Sequence, residues 1–199
     1  KVVLSSEWDY SPLTYPMTVS VLPNFVLLGM PASESSNALI LPLAGHELGH
    51  SVWQSDNMES AFRGEVQDEA RNLLKSRWSE FVSVYTEHAH LALTDRELLN
   101  NLFLVNVVSD IVGLCISQVE EVFCDAIGVF LFGRSYAHAF HYLLSPGLGG
   151  VRSLEYPRLN IRAGFIEQHG GLALNEVGYL EYSSQFVDQQ PTLPPRYAF

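Results

Sequence analysis

The chain contains 199 residues, of which 47% are hydrophobic and 12% aromatic, so it is long and apolar enough for one globular domain with a substantial core. Its formal net charge of −11 argues against nucleic acid or an anionic membrane surface as a partner and favours a neutral or cationic substrate. We expect a single domain over residues 1–187 and a proline-rich, extended tail over residues 188–199. The charged fraction of 17% is low for a solvated surface, so a partner or a further segment could cover part of it.

The N-terminal third of the chain predicts a small sheet followed by a helix. Residues 1–16 lack helical periodicity and indicate an extended lead-in. Residues 17–22 and 25–29 are apolar runs around Pro23 and Asn24, which predict a hairpin or two neighbouring strands. Such a sheet could pair with an extended peptide through its edge, or it could simply cover the core. Ser36 or Asn37 can then cap a helix over about 38–53.

The rest of the chain is predicted to be helical. Apolar residues at intervals of three or four predict one helix over 57–85. Thr94 and Glu97 form a capping box for a helix that extends to about Phe132, with a break near Gly113 or Ser117. Further helices are expected over 135–144, 158–168 and 175–186. The predicted fold class is therefore α+β, predominantly helical, with a small N-terminal sheet or hairpin before a helical bundle.

The most apolar region, residues 98–132, is predicted to be a buried helix rather than a membrane span. Polar residues interrupt it throughout, so it lacks the continuous apolar run that a bilayer requires. Its cysteines, Cys115 and Cys124, would stand roughly 13 Å apart along one helix, too far for a disulfide. We therefore expect a reducing, cytoplasmic location.

The segment His46-Glu47-Leu48-Gly49-His50 matches the pattern H-E-x-x-H within a predicted helix. Two imidazoles four residues apart lie on one helical face, where they can share a metal ion. Glu47 projects beside that face, where a carboxylate can hold a water that the metal polarises. Gly49, between the two histidines, indicates close approach of a substrate or of another backbone, and packing against a neighbouring helix explains it equally well.

A catalytic zinc needs a third protein ligand, and Glu121 is the candidate. Glu121 and Asp125 lie four residues apart on one face of an apolar helix, where unpaired carboxylates would be costly to bury. Asp125 could accept the free N–H of a ligating histidine and fix its tautomer. Glu120 is the alternative ligand, and Cys124 is expected to be a buried, inert thiol.

The pattern formed by His46, Glu47 and His50 with Glu121 and Asp125 resembles that of the gluzincin metallopeptidases, H-E-x-x-H followed by E-x-x-x-D. The likeness covers the two motif helices and their neighbours and is nearest to the CAAX prenyl endopeptidase branch. It implies a zincin-like fold, one zinc ion per chain and hydrolysis of a peptide or protein substrate.

A later segment, Tyr156-Pro157 followed by Arg162, is similar to the His-Pro and Arg motif of that branch, with tyrosine where histidine is expected. The oxyanion stabiliser is therefore open among several donors, and we favour Tyr156. The other candidates are His138, His141, Arg158 and Arg162. Asn106 and Asp110, on the preceding helix, are expected to be polar positions satisfied within a helical core.

Two other functions remain as alternatives. Glu47 with His50, and Glu87 with His90, could be the two E-x-x-H motifs of a di-iron helix bundle that also recruits Glu121 and an acid at position 65 or 69. That reading leaves His46 without a role. A non-catalytic zincin-like domain that binds a peptide or partner protein is the second alternative, although a structural zinc would not need Glu47.

The metal content distinguishes the peptidase from the di-iron protein. We predict one zinc per chain in the purified protein, because the motif supplies one set of three ligands. Elemental analysis by mass spectrometry measures it, and two irons per chain would contradict the zinc assignment.

Overall fold

The computed structural model describes residues 1–7, 12–14, 25–34, 36–91, 94, 100–144 and 153–171. Within these ranges a small N-terminal sheet is followed by α-helices, which confirms the predominantly helical α+β class. The predicted helix over 175–186, the tail over 188–199, and strand residues 17–22 lie outside the described residues.

The sheet consists of β1 (Val2–Glu7), β2 (Leu13–Thr14) and β3 (Val26–Pro31), with β3 in the middle. β1 runs parallel to β3, with Val2 opposite Val26, and β2 runs antiparallel to β3. The expectation that residues 1–16 form only an extended lead-in is therefore wrong. The apolar start of β1 favours a strand, and β3 provides the hydrogen-bonding partner that local sequence cannot reveal.

The metal-motif helix begins with a tighter turn than expected. Asn37 caps a 3₁₀ segment, Ala38–Leu43, by accepting a hydrogen bond from the Leu39 amide at 3.0 Å. Only then does the α-helix α1 (Ala44–Ser55) start. Pro42 lies in the 3₁₀ segment, where its missing amide is tolerated.

The helix predicted over 57–85 is two helices, α2 (Met58–Ser76) and α3 (Trp78–Val84). They are separated at Arg77, whose φ of −106° and ψ of 22° leave the helical region. The Ser76 hydroxyl donates to the Leu73 carbonyl at 2.8 Å, which offers the last turn a competing hydrogen bond. Apolar spacing continues across the break, so periodicity alone could not detect it. A 3₁₀ turn, Thr86–His88, follows.

The longest helix, α4 (Leu102–Phe132), is continuous, so the predicted break near Gly113 or Ser117 is wrong. A glycine in a helix costs only about 1 kcal/mol relative to alanine, too little to interrupt a packed helix of this length. The Asn101 side chain caps the described start of α4 by accepting from two backbone amides. Most of the proposed Thr94 capping box lies outside the described residues.

α4 is long and apolar enough to cross a membrane by length and composition. Only 28% of the most apolar 18-residue stretch of α4 is buried. The helix was expected to be buried, but it is buried on one side only. Phe130 is 84% exposed, and Asn106 and Asp110 face solvent rather than a polar niche in the core. Two expectations stay predictions: that α4 does not span a membrane, and that a partner or a further segment covers its exposed apolar side.

The last described helices are α5 (Arg134–Leu144) and α6 (Leu159–His169), each within one residue of its predicted bounds. Gly133 (φ 51°) separates α4 from α5, and Gly170 follows the end of α6. α5 and α6 pack with the segment before α1 in one apolar core. α2, α3 and the first half of α4 form a second core around Trp53 of α1.

α1 and α4 approach each other at backbone contact. A Cβ atom added to Gly49 would lie 2.6 Å from the Cys124 Cα atom, and one added to Gly45 would lie 2.9 Å from the Gly128 Cα atom. Packing against a neighbouring helix therefore explains Gly49. The same contact places the two histidines of α1 against the acidic face of α4.

Gly49→Ala should lower the free energy of unfolding by about 1–3 kcal/mol, because the new methyl group must displace the α4 backbone. The matched control is Gly64→Ala on α2, where an added Cβ meets no atom within 4 Å and should stabilise the helix by about 0.5–1 kcal/mol. Urea unfolding of both variants measures the difference. Equal effects of the two substitutions would contradict the close approach.

Candidate metal centre

The two motif histidines face one carboxylate on α4. His46 Nε2 lies 3.4 Å from Glu121 Oε2, and His50 Nε2 lies 3.7 Å from Glu121 Oε1. Bonds of about 2.0–2.1 Å to a tetrahedral zinc separate two ligand atoms by roughly 3.3 Å, so these spacings fit one ion. The two imidazole rings meet edge to face, with centroids 5.1 Å apart. The structure thus brings together all three residues predicted to bind the metal.

A second candidate ligand lies in the same place. His46, His50 and Cys124 form a cluster that could hold a metal ion, with one ligand atom from each residue within 4.8 Å of the others. The Cys124 side chain is fully buried, and burial together with the charge of Glu121 raises the pKa of its thiol. A metal binds the thiolate form of cysteine, so Cys124 would have to lose its proton to become a ligand. Glu121 stays the predicted third ligand, and Cys124 is a second residue positioned to take that place. Cys124 is buried, as predicted, but the sequence did not predict that it lies beside the two histidines.

Asp125 holds the outer nitrogen of His46. Its Oδ1 atom lies 3.0 Å from His46 Nδ1, whereas the sequence predicted only that Asp125 could contact one of the two histidines. Asp125 also accepts hydrogen bonds from the Tyr136 hydroxyl at 2.6 Å and from Arg162 Nε at 2.7 Å and Nη2 at 2.8 Å. Because tyrosine and arginine act here as donors, Asp125 remains an acceptor for an Nδ1–H of His46. His46 Nε2 is then free to bind a metal.

Arg162 has a different role from the oxyanion donor considered from the sequence. Its guanidinium pairs with both oxygens of Asp125 and places Nη1 3.1 Å from Glu121 Oε2. It lies over the Phe140 ring at 5.2 Å and is buried. Its hydrogen-bonding groups are thus directed at the two acids, which orients Glu121 as well as Asp125.

Sequence reasoning missed Tyr136, which lies on α5 and is fully buried. A Cβ atom on Gly128 would fall 2.4 Å from the Tyr136 ring, so the ring occupies the space left by that glycine. The signal in the sequence was Gly128, one turn after Asp125, since a glycine within a helix can mark the close approach of another group. It does not indicate which residue approaches.

Glu120, the alternative metal ligand, contacts Nδ1 of His50 and not its Nε2 atom. Its Oε1 atom lies 2.8 Å from His50 Nδ1, the nitrogen that points away from Glu121. Both imidazoles therefore have a carboxylate on Nδ1 and share Glu121 near Nε2.

The buried charges shift one another's pKa values. Burial alone would lower the pKa of His46, but the hydrogen bonds to Asp125 and Glu121 raise it from 6.5 to about 9. Burial would raise the pKa of Asp125, yet the charge and hydrogen bonds of Arg162 hold it well below its ordinary value. Burial likewise opposes ionisation of Glu121, and the hydrogen bond to His46 together with the Arg162 charge lowers its pKa.

Glu47 and Tyr156, the predicted base and oxyanion donor, lie near the same centre. Glu47 is buried in the first turn of α1. Burial and the charge of Glu121 raise the pKa of Tyr156, against the opposing charge of Arg162. The Gln118 side chain donates to the Leu154 carbonyl at 2.6 Å and so ties the segment that carries Tyr156 to α4.

Other sequence candidates lie elsewhere. His138 and His141 are on α5, two and five positions after Tyr136, so they project from other faces of that helix than the one that reaches Asp125. The di-iron alternative needs acids and a histidine inside the bundle, but its additional ligands are exposed at the surface. These exposed residues are Glu65, Glu69, Glu87 and His90.

Comparisons with protein-family models, with curated proteins and with solved structures give no match. The resemblance to the gluzincin peptidases therefore stays a prediction from the motif residues and their spacing.

Because the folded-state pKa of His46 is raised to about 9, its charge stabilises the metal-free protein below about pH 6.5, and this stabilisation is lost as the pH rises toward 9. We expect a fall of up to about 3 kcal/mol over this range. Urea unfolding in the presence of a chelator measures it.

His46→Asn should flatten this fall, and the exposed His90→Asn should leave it unchanged. A wild-type stability that stays constant between pH 6.5 and 9 would contradict the assignment of the raised pKa to His46.

Proposed function

We propose that this protein is a zinc-dependent peptidase of the gluzincin type, with a zincin-like fold and one zinc per chain. The observation that supports it best is the convergence of His46 Nε2 and His50 Nε2 on the Glu121 carboxylate, at 3.4 and 3.7 Å. Imidazole nitrogens and a carboxylate on two helices are the ligand set of catalytic zinc in hydrolases. The substrate is a peptide or protein.

His46, His50 and Glu121 would hold the zinc ion. When bound, zinc lowers the pKa of water to about 7 and polarises a carbonyl group. Asp125 and Glu120 keep the Nδ1 atoms of the histidines occupied, at 3.0 and 2.8 Å, so each ring offers Nε2 to the ion. Arg162 Nη1 lies 3.1 Å from Glu121 Oε2, the oxygen near His46, and so helps to orient this carboxylate.

Glu47 is the general base. It accepts the proton of the attacking water and returns it to the leaving amine, so that one carboxylate serves both halves of the hydrolysis. Its position next to His46 on α1 places it beside the ligand face, and its burial strengthens its electrostatic effect.

Tyr156 donates a hydrogen bond from its hydroxyl group to the developing oxyanion and keeps its proton. Its side chain is 48% exposed, so it can meet a substrate that approaches from solvent, whereas Arg162 is buried against two acids. A tyrosine with an ordinary pKa of about 10 is protonated at neutral pH, and the pKa of Tyr156 is raised further, so its hydroxyl is a donor there.

Glu47→Gln should reduce turnover of a mixed peptide library by about 10²–10⁴-fold, because the base is lost, and should keep zinc bound. Glu80→Gln, at an exposed position on α3, is the control for the change of charge. Mass spectrometry of the peptides and elemental analysis measure the two properties. Zinc binding with no cleavage by any form would favour the non-catalytic binding domain.

The third ligand is tested separately. Glu121→Ala should lower the zinc affinity by several orders of magnitude, and Cys124→Ala should leave it nearly unchanged, because the carboxylate lies within 3.7 Å of both Nε2 atoms and is the proposed third ligand. Competition with a chromophoric chelator measures both. The reverse result would assign the third position to Cys124.

A further inference from the structure

Glu120 contacts the candidate metal centre but belongs to neither H-E-x-x-H nor E-x-x-x-D. Its Oε1 atom lies 2.8 Å from His50 Nδ1, across 70 residues of sequence. Glu120 precedes Glu121 on α4, and a step of one residue turns a helix by about 100°, so the two carboxylates reach different sides of the same imidazole. Glu121 Oε1 is nearest to Nε2 of His50, at 3.7 Å.

Glu120 contacts Nδ1 of His50 in the same way as Asp125 contacts Nδ1 of His46, at 3.0 Å. The surroundings of the two pairs differ. Asp125 is fully buried and fixed by Arg162 and Tyr136, whereas the Glu120 and His50 side chains keep 25% and 22% of their surface exposed. His50 is therefore the ligand whose orientation depends on a partly solvated hydrogen bond.

We propose that Glu120 is a positioning residue for His50: it accepts the Nδ1–H and fixes the ring so that Nε2 points to the metal. This inference rests on the proposed zinc site. An imidazole without a partner on its outer nitrogen can rotate and exchange tautomers, so metal binding must order it first. The run from Glu120 to Asp125 on α4 then supplies a ligand and the outer partners of both histidines.

Three variants test the role. Glu120→Ala should raise the zinc dissociation constant by about 10–100-fold, as loss of an outer hydrogen bond to a ligand does. Glu120→Gln removes the charge but keeps an oxygen that accepts from Nδ1–H, so it should restore most of the affinity. Glu80→Ala, which removes an exposed acid on α3, should have no effect.

The measurements are zinc competition with a chromophoric chelator and long-range ¹H–¹⁵N NMR of the histidine rings in the zinc-loaded protein. The Nδ1–H signal of His50 should be sharp in the wild type and in Glu120→Gln, and broadened by exchange in Glu120→Ala. Circular dichroism confirms that each variant is folded.

Wild-type affinity and an unchanged His50 signal in Glu120→Ala would overturn the positioning role while leaving the zinc site intact. Loss of all zinc in Glu120→Ala, with zinc retained in Glu121→Ala, would make Glu120 the ligand and overturn it as well. A wild-type chain that binds no zinc would overturn the proposed function itself.

Discussion

The contact between the backbones of α1 and α4 is the constraint on which the site depends. Gly45 and Gly49 bring α1 against Gly128 and the Cys124 backbone, and any side chain at either glycine would separate the helices. The histidine–carboxylate distances of 3.0 and 3.4 Å leave little room for such a separation. The glycines thus have no chemistry of their own, yet they determine whether the chemical groups meet.

The charges at this contact explain why a cation suits it. The described part of the chain buries three carboxylates, those of Glu47, Glu121 and Asp125, and one guanidinium, that of Arg162, which contacts two of them. Burying unbalanced charge is costly, and the excess here equals the charge of one divalent ion. In the metal-free protein, the raised pKa of His46 keeps its imidazole protonated, and this charge supplies part of the missing positive charge.

Sequence reasoning predicted the parts of this structure whose causes are local. The bounds of α5 and α6 were predicted to within one residue, Asn37 caps the segment that starts at residue 38 as a 3₁₀ rather than an α-helix, and the spacing of Glu121 and Asp125 placed both on one helical face. It failed where distant residues decide. The pairing of β1 with β3 depends on residues about 24 positions apart, and the contact of Tyr136 with Asp125 depends on how α5 packs.

The position of Arg162 in the chain affects how the site can form during synthesis. The residues that would hold the metal are complete once α4 has been made, but the cation that neutralises Asp125 comes 37 residues later, on α6. A nascent chain that stopped before α6 would keep the His46 and Tyr136 contacts of Asp125 but would lack the guanidinium that pairs with both of its oxygens. The ordered centre therefore needs α6 as well as the two helices that carry its histidines and carboxylates.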